Sequence, residues 1–149
     1  MGNDRMTTST LLGRLFKTES VGRFIENNNK EMDTVSFSEY LSGLCDRKNV
    51  LPSYIISKSD IERSYGYQLF KGRRAPSRDK VIQLAFGFGM DYEEAQELLK
   101  AARMSPLYPR IKRDAVIIYA LKRGIKLVDV QVTLEELGLP LIGEKAVLQ

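Results

Sequence analysis

Residues 51–80, LPSYIISKSDIERSYGYQLFKGRRAPSRDK, constrain this chain more than any other stretch. Pro52 and Ser53 open a short helical segment, because proline's missing N–H has no helical partner in a first turn. Ile55 and Ile56 point inward from it. A tight turn covers 59–61, and a second short helix covers about 62–70. Leu69 and Phe70 close the inner side of that helix, and Gly72 is its stop signal. A basic loop with Lys71, Arg73 and Arg74 comes directly after it. The residues before this block read as a leader and one supporting helix, and those after it as helical buttress.

The supporting helix starts at Ser36-x-x-Glu39, a capping box in which each side chain satisfies a free N–H at the helix start. Phe37, Tyr40, Leu41 and Leu44 then recur at i, i+3, i+4, i+7, and the helix runs out around Lys48 and Asn49. On the other side, Ala75, Pro76 and Ser77 open a helix with Ser77 as N-cap and Val81, Leu84, Ala85 and Phe88 inward. Gly87 and Gly89 end it. Asp91-x-x-Glu94 is a second capping box, followed by Ala95, Leu98, Leu99 and Ala102 on one face. Ser105, Pro106 and Pro109 break the chain. A further helix spans about 110–123 and stops at Gly124. Its centre, AVIIYAL, is apolar all round and is expected to be buried on most sides. Residues 126–137 fit two periods: Val128, Val130, Val132 and Leu134 alternate as in a strand, while Leu127, Val130, Leu134 and Leu137 fit a helix. A lone strand would lack a ladder partner, so helix is expected. The fold class is therefore all-α.

The chain organises into a flexible leader over 1–33 with at most a short helix, a helical domain over 34–104, and a helical extension over 105–149 packed on it. In the leader, Leu11, Leu12, Leu15, Phe16, Val21, Phe24 and Ile25 are partly helical in spacing, and Asn27, Asn28 and Asn29 break the pattern. This is either a frayed helix plus linker or a docking peptide for the domain or a partner. Thr7, Thr8, Ser9 and Thr10 form a hydroxyl cluster of the kind common in solvated termini.

Residues 51–80 resemble the helix-turn-helix of the λ-repressor-like, XRE/Cro-type DNA-binding family. The likeness rests on the two short helices in tandem, on Tyr65-x-x-x-Leu69-Phe70-Lys71-Gly72-Arg73-Arg74, and on Pro76 and Ser77 leading into the next helix. It extends over about 36–104, a five-helix domain, with two C-terminal helices beyond it. The resemblance implies a sequence-specific, cytoplasmic transcriptional regulator of a bacterium or phage. The recognition helix, about 62–70, would lie in the major groove of double-stranded DNA. By this likeness Arg63, Ser64 and Gln68 face base edges, Tyr67 lies on or beside that face, and Lys71, Arg73 and Arg74 meet the backbone. Arg78 joins the phosphate set in the loop 71–78. The chemistry suits those roles, since arginine bonds guanine and glutamine bonds adenine in bidentate fashion. Three positions depart from the family pattern. Asp60 stands where the turn often has glycine, Pro52 where a phosphate-touching glutamine is common, and Gly66 where a branched aliphatic is usual. Tyr65 or Tyr67 is expected to fill the space beside Gly66. Tyr65 is expected to pack in the core.

Other classes find little support. The chain has one cysteine, Cys45, and no histidine. An internal disulfide, a histidine–cysteine zinc site and a histidine-based triad are thereby excluded. No P-loop, G-x-G-x-x-G or nucleophile elbow occurs, so neither an enzyme nor a cofactor is expected. No apolar run approaches the roughly twenty residues of a membrane span. Cys45 is expected to be a buried small hydrophobe, and the reducing cytoplasm is the expected setting. The formal charge of +4 suits a nucleic-acid partner without requiring one. Asp114 is expected to pair with Arg110 or Lys122, while Lys112, Arg113, Lys122 and Arg123 frame the buried stripe of their helix. The alternative function is a protein–protein adaptor on the same scaffold, using residues 7–25 or the C-terminal helices; RNA binding is a weaker third. Members of the family that 51–80 resemble often act as dimers on two-fold operators; a homodimer is one assembly that likeness implies, with the last two helices as candidate contacts.

Overall fold

The computed structural model describes residues 6–32 and 35–143. Among them there are ten helices and no strand. The chain divides into two compact units, one up to Val35 and one from Ser36 onward. The expected start of the folded domain at Thr34, and the last six residues of the extension, lie outside the described residues.

The first unit carries more structure than a flexible leader with one short helix. It holds α1 (Thr8–Lys17), α2 (Val21–Asn27) and the single turn α3 (Asn29–Met32). The hydroxyls explain the starts. Thr7 accepts from the Thr10 N–H at the head of α1, and Ser20 accepts from the Arg23 N–H at the head of α2. The break at Thr18 therefore falls inside the apolar pattern that reads as one helix. The asparagines do end α2, but by capping rather than by fraying. Asn28 is buried, donates its amide to the Phe24 carbonyl and accepts from Arg14. Phe24 is buried, whereas Leu12, Leu15, Phe16, Val21 and Ile25 are exposed.

The second unit is built from α4 (Phe37–Lys48), α5 (Pro52–Lys58), α6 (Arg63–Phe70), α7 (Arg78–Gly87), α8 (Tyr92–Ala101), α9 (Lys112–Arg123) and α10 (Leu127–Glu136). Every expected helix of 36–137 is present, and residues 126–137 resolve as helix. Asp91 and Glu94 form the full reciprocal capping box. At α4, Ser36 accepts from the Glu39 N–H, and that half of the box is the one seen. Helix α5 packs on α6 and α7, α4 on α6, α7 on α8, α8 on α9, and α9 on α10. One apolar core runs through all of them, from Leu41 and Ile55 to Ile117 and Leu134. The extension is thus part of the same packed body. Cys45 lies in this core, where burial and then the nearby Asp46 carboxylate push its thiol upward, so it is a poor nucleophile.

The centre of α9 is buried on most sides, as expected: Ile117, Ala120 and Leu121 are buried, Ala115, Val116 and Ile118 are half-buried, and Tyr119 alone of AVIIYAL is exposed, at 54%, with the Arg123 guanidinium 3.8 Å from its ring centroid. One expectation is corrected here. Asp114 pairs with neither Arg110 nor Lys122; Arg78 at the start of α7 takes it instead.

Candidate nucleic-acid interface

The turn between α5 and α6 sets how α6 is presented. Asp60 has φ of +55°, a left-handed conformation that aspartate tolerates better than most residues. Asp60 thus supplies the backbone bend for which glycine is the common choice. The turn is held from behind by Gln83 of α7. This buried side chain donates to the carbonyls of Ser59 at 3.2 Å and Asp60 at 3.0 Å, and its oxygen accepts from Lys80 Nζ at 3.1 Å. Ser59 itself is fully buried and donates its hydroxyl to the Ile55 carbonyl at 2.6 Å. Two backbone carbonyls that α5 leaves unpaired are thereby satisfied by one side chain. Sequence reasoning passed over Gln83. The available signal was an amide among Ile82, Leu84 and Ala85 on an otherwise apolar stretch.

Helix α6 is anchored by close approach. A Cβ built on Gly66 would come within 2.5 Å of Ile56 Cγ2 and 2.8 Å of Ile56 Cγ1. The space beside Gly66 is therefore filled by Ile56 of α5. The missing side chain lets the two short helices touch. Leu69 and Phe70 are buried as expected, and Gly72 ends the helix at φ of +73°, with its Cα side against Ser38 of α4. A side chain at 72 would meet both strain and Ser38.

The outer surface of α6 carries the expected side chains. Arg63 and Ser64 are exposed, and Tyr67 and Gln68 are half-buried. Glu62 caps the helix, its carboxylate accepting from the N–H groups of Tyr65 at 2.8 Å and Ser64 at 3.0 Å. Those two bonds, followed by the charge of Arg74, hold its carboxyl below the ordinary glutamate range. Its negative charge is thus directed at the helix N-terminus. The Arg63 guanidinium lies 5.8 Å from the Tyr67 ring centroid, one turn on. Tyr65 packs against the core, as expected, but its ring also carries Arg74 at 4.5 Å and Lys80 at 5.4 Å. Lys71, Arg73 and Arg74 are exposed. Arg63, Lys71, Arg73 and Arg74 have no ion-pair partner among the described residues.

Arg78 departs from that set. Its guanidinium grips the buried Asp114 carboxylate through both terminal nitrogens, at 2.9 and 3.2 Å. It also donates to the carbonyls of Ser105 and Pro106, each at 3.0 Å. Four of its five N–H donors are used internally and its charge is paired with Asp114, so the expected phosphate contact by Arg78 is withdrawn. A second such lock joins Arg113 to Asp79, with both bonds at 2.8 Å, and Arg113 also binds the carbonyls of Pro140 and Leu141. Arg113 therefore clamps α9 to α7 and to the chain after α10, rather than framing an apolar stripe.

No protein-family model matches the chain, and no curated protein or solved structure shows significant similarity to it. The geometry of 51–80 stands on its own residues. It offers a short helix whose N-terminal and C-terminal ends both expose cations without an ion pair among the described residues, with a half-buried amide and tyrosine between them. Such a surface can bond phosphate oxygens by charge-assisted hydrogen bonds and base edges by bidentate ones.

Proposed function

We propose that residues 36–143 form a helix-turn-helix module of the λ-repressor-like type that binds double-stranded DNA, with α5 and α6 as the paired helices. Helix α6 enters the major groove, Arg63, Ser64 and Gln68 face base edges, and Lys71, Arg73 and Arg74 grip the backbone. The protein acts on this reading as a transcriptional regulator. The observation that carries it is the contrast among the basic residues of 63–78. Arg78 is neutralised inside the fold, whereas Arg63, Lys71, Arg73 and Arg74 stay exposed and unpaired around α6. Unpaired cations clustered on one short helix and its following loop are what counterion release requires. The left-handed Asp60 and the Gln83 clamp support the same reading by giving α6 a rigid mount.

The test is selection from a randomised duplex pool, followed by affinity measurements across salt. Binding whose logarithm falls linearly with the logarithm of salt, with a slope reduced by about 1 per residue in Arg73→Ala and Arg74→Ala, supports the reading. No retention of any duplex at low salt overturns it.

A second reading, a protein–protein adaptor, is favoured by the first unit. Phe16 is 77% exposed and Val21 63%, with Leu12, Leu15 and Ile25 also outward. Apolar side chains at this density on short helices suit a partner surface. Recovery of one stoichiometric protein partner, lost in Phe16→Asp, together with absence of duplex binding would select it.

A further inference from the structure

A concavity of the second unit lies apart from the outer face of α6. It is a cleft of about 800 Å³ between α5, the end of α7, and the junction of α9 with α10. Its walls include Phe86, Phe88, Met90 and Ile125. Met90 is buried and the other three are partly buried against the core, so the floor is apolar. The volume falls within the roughly 300–1,000 Å³ typical of small-molecule sites, which combine apolar walls with a few polar groups.

The polar groups have one sign in excess. Lys48, Lys58 and Lys126 line the cleft, and Asp60 is the one carboxylate there. Lys48 is paired with Glu94 at 3.2 Å. Lys58 has its ammonium 5.6 Å from the Tyr54 ring centroid but no ion pair, and Lys126 has no ion pair among the described residues. An apolar floor beneath two unneutralised ammonium groups complements an anion with an apolar body. We propose that this cleft binds a small amphiphilic organic anion, a carboxylate or sulfonate carried on an aromatic or aliphatic group. The apolar body lies against Phe86, Phe88 and Ile125, and the anionic group lies between Lys58 and Lys126.

The cleft also touches the mount of α6. Ile55 and Asp60 belong to its lining, and the Asp60 carbonyl is one of the two that Gln83 holds. Occupancy therefore bears on the turn that presents α6, and the ligand is an effector of duplex binding. This consequence, unlike the binding itself, rests on the function proposed above.

The probe is 1-anilinonaphthalene-8-sulfonate, titrated into the full chain and displaced with decanoate or with decanol. The expected result is saturable one-site binding under conditions where the chain keeps a sharp thermal transition. Decanoate displaces the probe at least ten-fold better than decanol. The double variant Lys58→Gln, Lys126→Gln weakens the probe at least ten-fold without moving the transition, and Val128→Trp at the rim weakens it with both lysines intact. Absence of saturable binding, or equal competition by decanoate and decanol, overturns the site. So does displacement by an acidic amphipathic peptide but not by decanoate, which would assign the cleft to a protein. A second arm measures duplex affinity with and without saturating decanoate, with a change of at least three-fold expected. An unchanged affinity overturns the effector role while leaving the site. A chain that binds decanoate and no duplex at all fails the proposed function alone.

Discussion

Gly66 and Gln83 do opposite things for the same element. Gly66 removes a side chain so that Ile56 can reach the α6 backbone, and Gln83 adds a polar side chain where the core is otherwise apolar. Alanine at 66 gains about 1 kcal/mol of helix propensity but must displace a β-branched side chain that is 2% exposed. Overpacking of that kind typically costs about 1–3 kcal/mol, so Gly66→Ala is expected to lower stability in urea denaturation. Ile56→Ala should cost less in the Gly66→Ala background than alone, because it removes both Cγ atoms that the new methyl group meets. For Gln83→Met the shape is kept and both donors are lost. The Ser59 and Asp60 carbonyls then lose their side-chain partner, a change worth about 1–3 kcal/mol where the group is buried. A variant that unfolds at the parent denaturant concentration would show that the turn needs no such clamp.

Helix α7 is the hub at the level of elements. Its first turn supplies Arg78 to Asp114 and Asp79 to Arg113, so two bidentate ion pairs of opposite polarity tie it to α9. Asp114 is 1% exposed, and truncating Arg78 leaves a buried carboxylate without its ion pair and with the Tyr108 N–H as its remaining hydrogen bond. Arg78→Ala is therefore expected to cost about 3–5 kcal/mol of stability. Arg73→Ala, exposed and unpaired, should leave stability within about 0.5 kcal/mol and alter duplex binding instead. Thermal unfolding of the two variants separates a structural arginine from a surface one. The second pair has a pH signature. Burial pushes the Asp79 carboxyl up, but the Arg113 hydrogen bonds, the Gly143 N–H and the charges of Arg113 and Arg78 hold it net below its ordinary 3.8. A carboxyl depressed by folding contributes stability that is complete above its unfolded value and is lost as pH falls through the folded one. The midpoint of thermal unfolding should fall as pH drops below about 4, and less steeply in Asp79→Asn. Parallel curves for the two chains would remove Asp79 from the acid response.

Across the whole molecule, the second unit contains its own core, its own ion-pair locks and all the residues assigned to duplex contact. A chain begun at Ser36 is expected to unfold in one cooperative transition and to keep the duplex affinity of the full chain within about three-fold, or about 0.7 kcal/mol. Loss of cooperative unfolding in that fragment, followed by circular dichroism on heating, would show that the first unit is needed for the fold. Most of this architecture was legible in the sequence because helix ends are local events. Ser77, Asp91, Pro52, Gly72 and Gly124 act on N–H and C=O groups within about four residues, and apolar spacing picks out the inward face. The same locality explains why 126–137 could be assigned to helix: the buried set, Leu127, Val130 and Leu134, has helical spacing, while Val128 and Val132 are exposed. The leader was less legible. Its apolar spacing continues through Thr18, and only the caps at Thr7 and Ser20 reveal two helices there.

By itself the sequence determined which segments of 36–137 are helical, where each stops, and that basic residues come after the short helix at 63–70. The tertiary structure alone decided which arginine remains on the surface. Arg73, Arg74 and Arg78 look alike in a charge run, but a carboxylate 36 positions away reaches only Arg78. It also decided that Ile56 fills the gap at Gly66 and that Gln83 braces the turn 23 residues behind it. The physical reason is range. Caps and periodicity act within one or two turns of a helix, whereas a buried charge or a missing Cβ is satisfied by whatever packing brings alongside it.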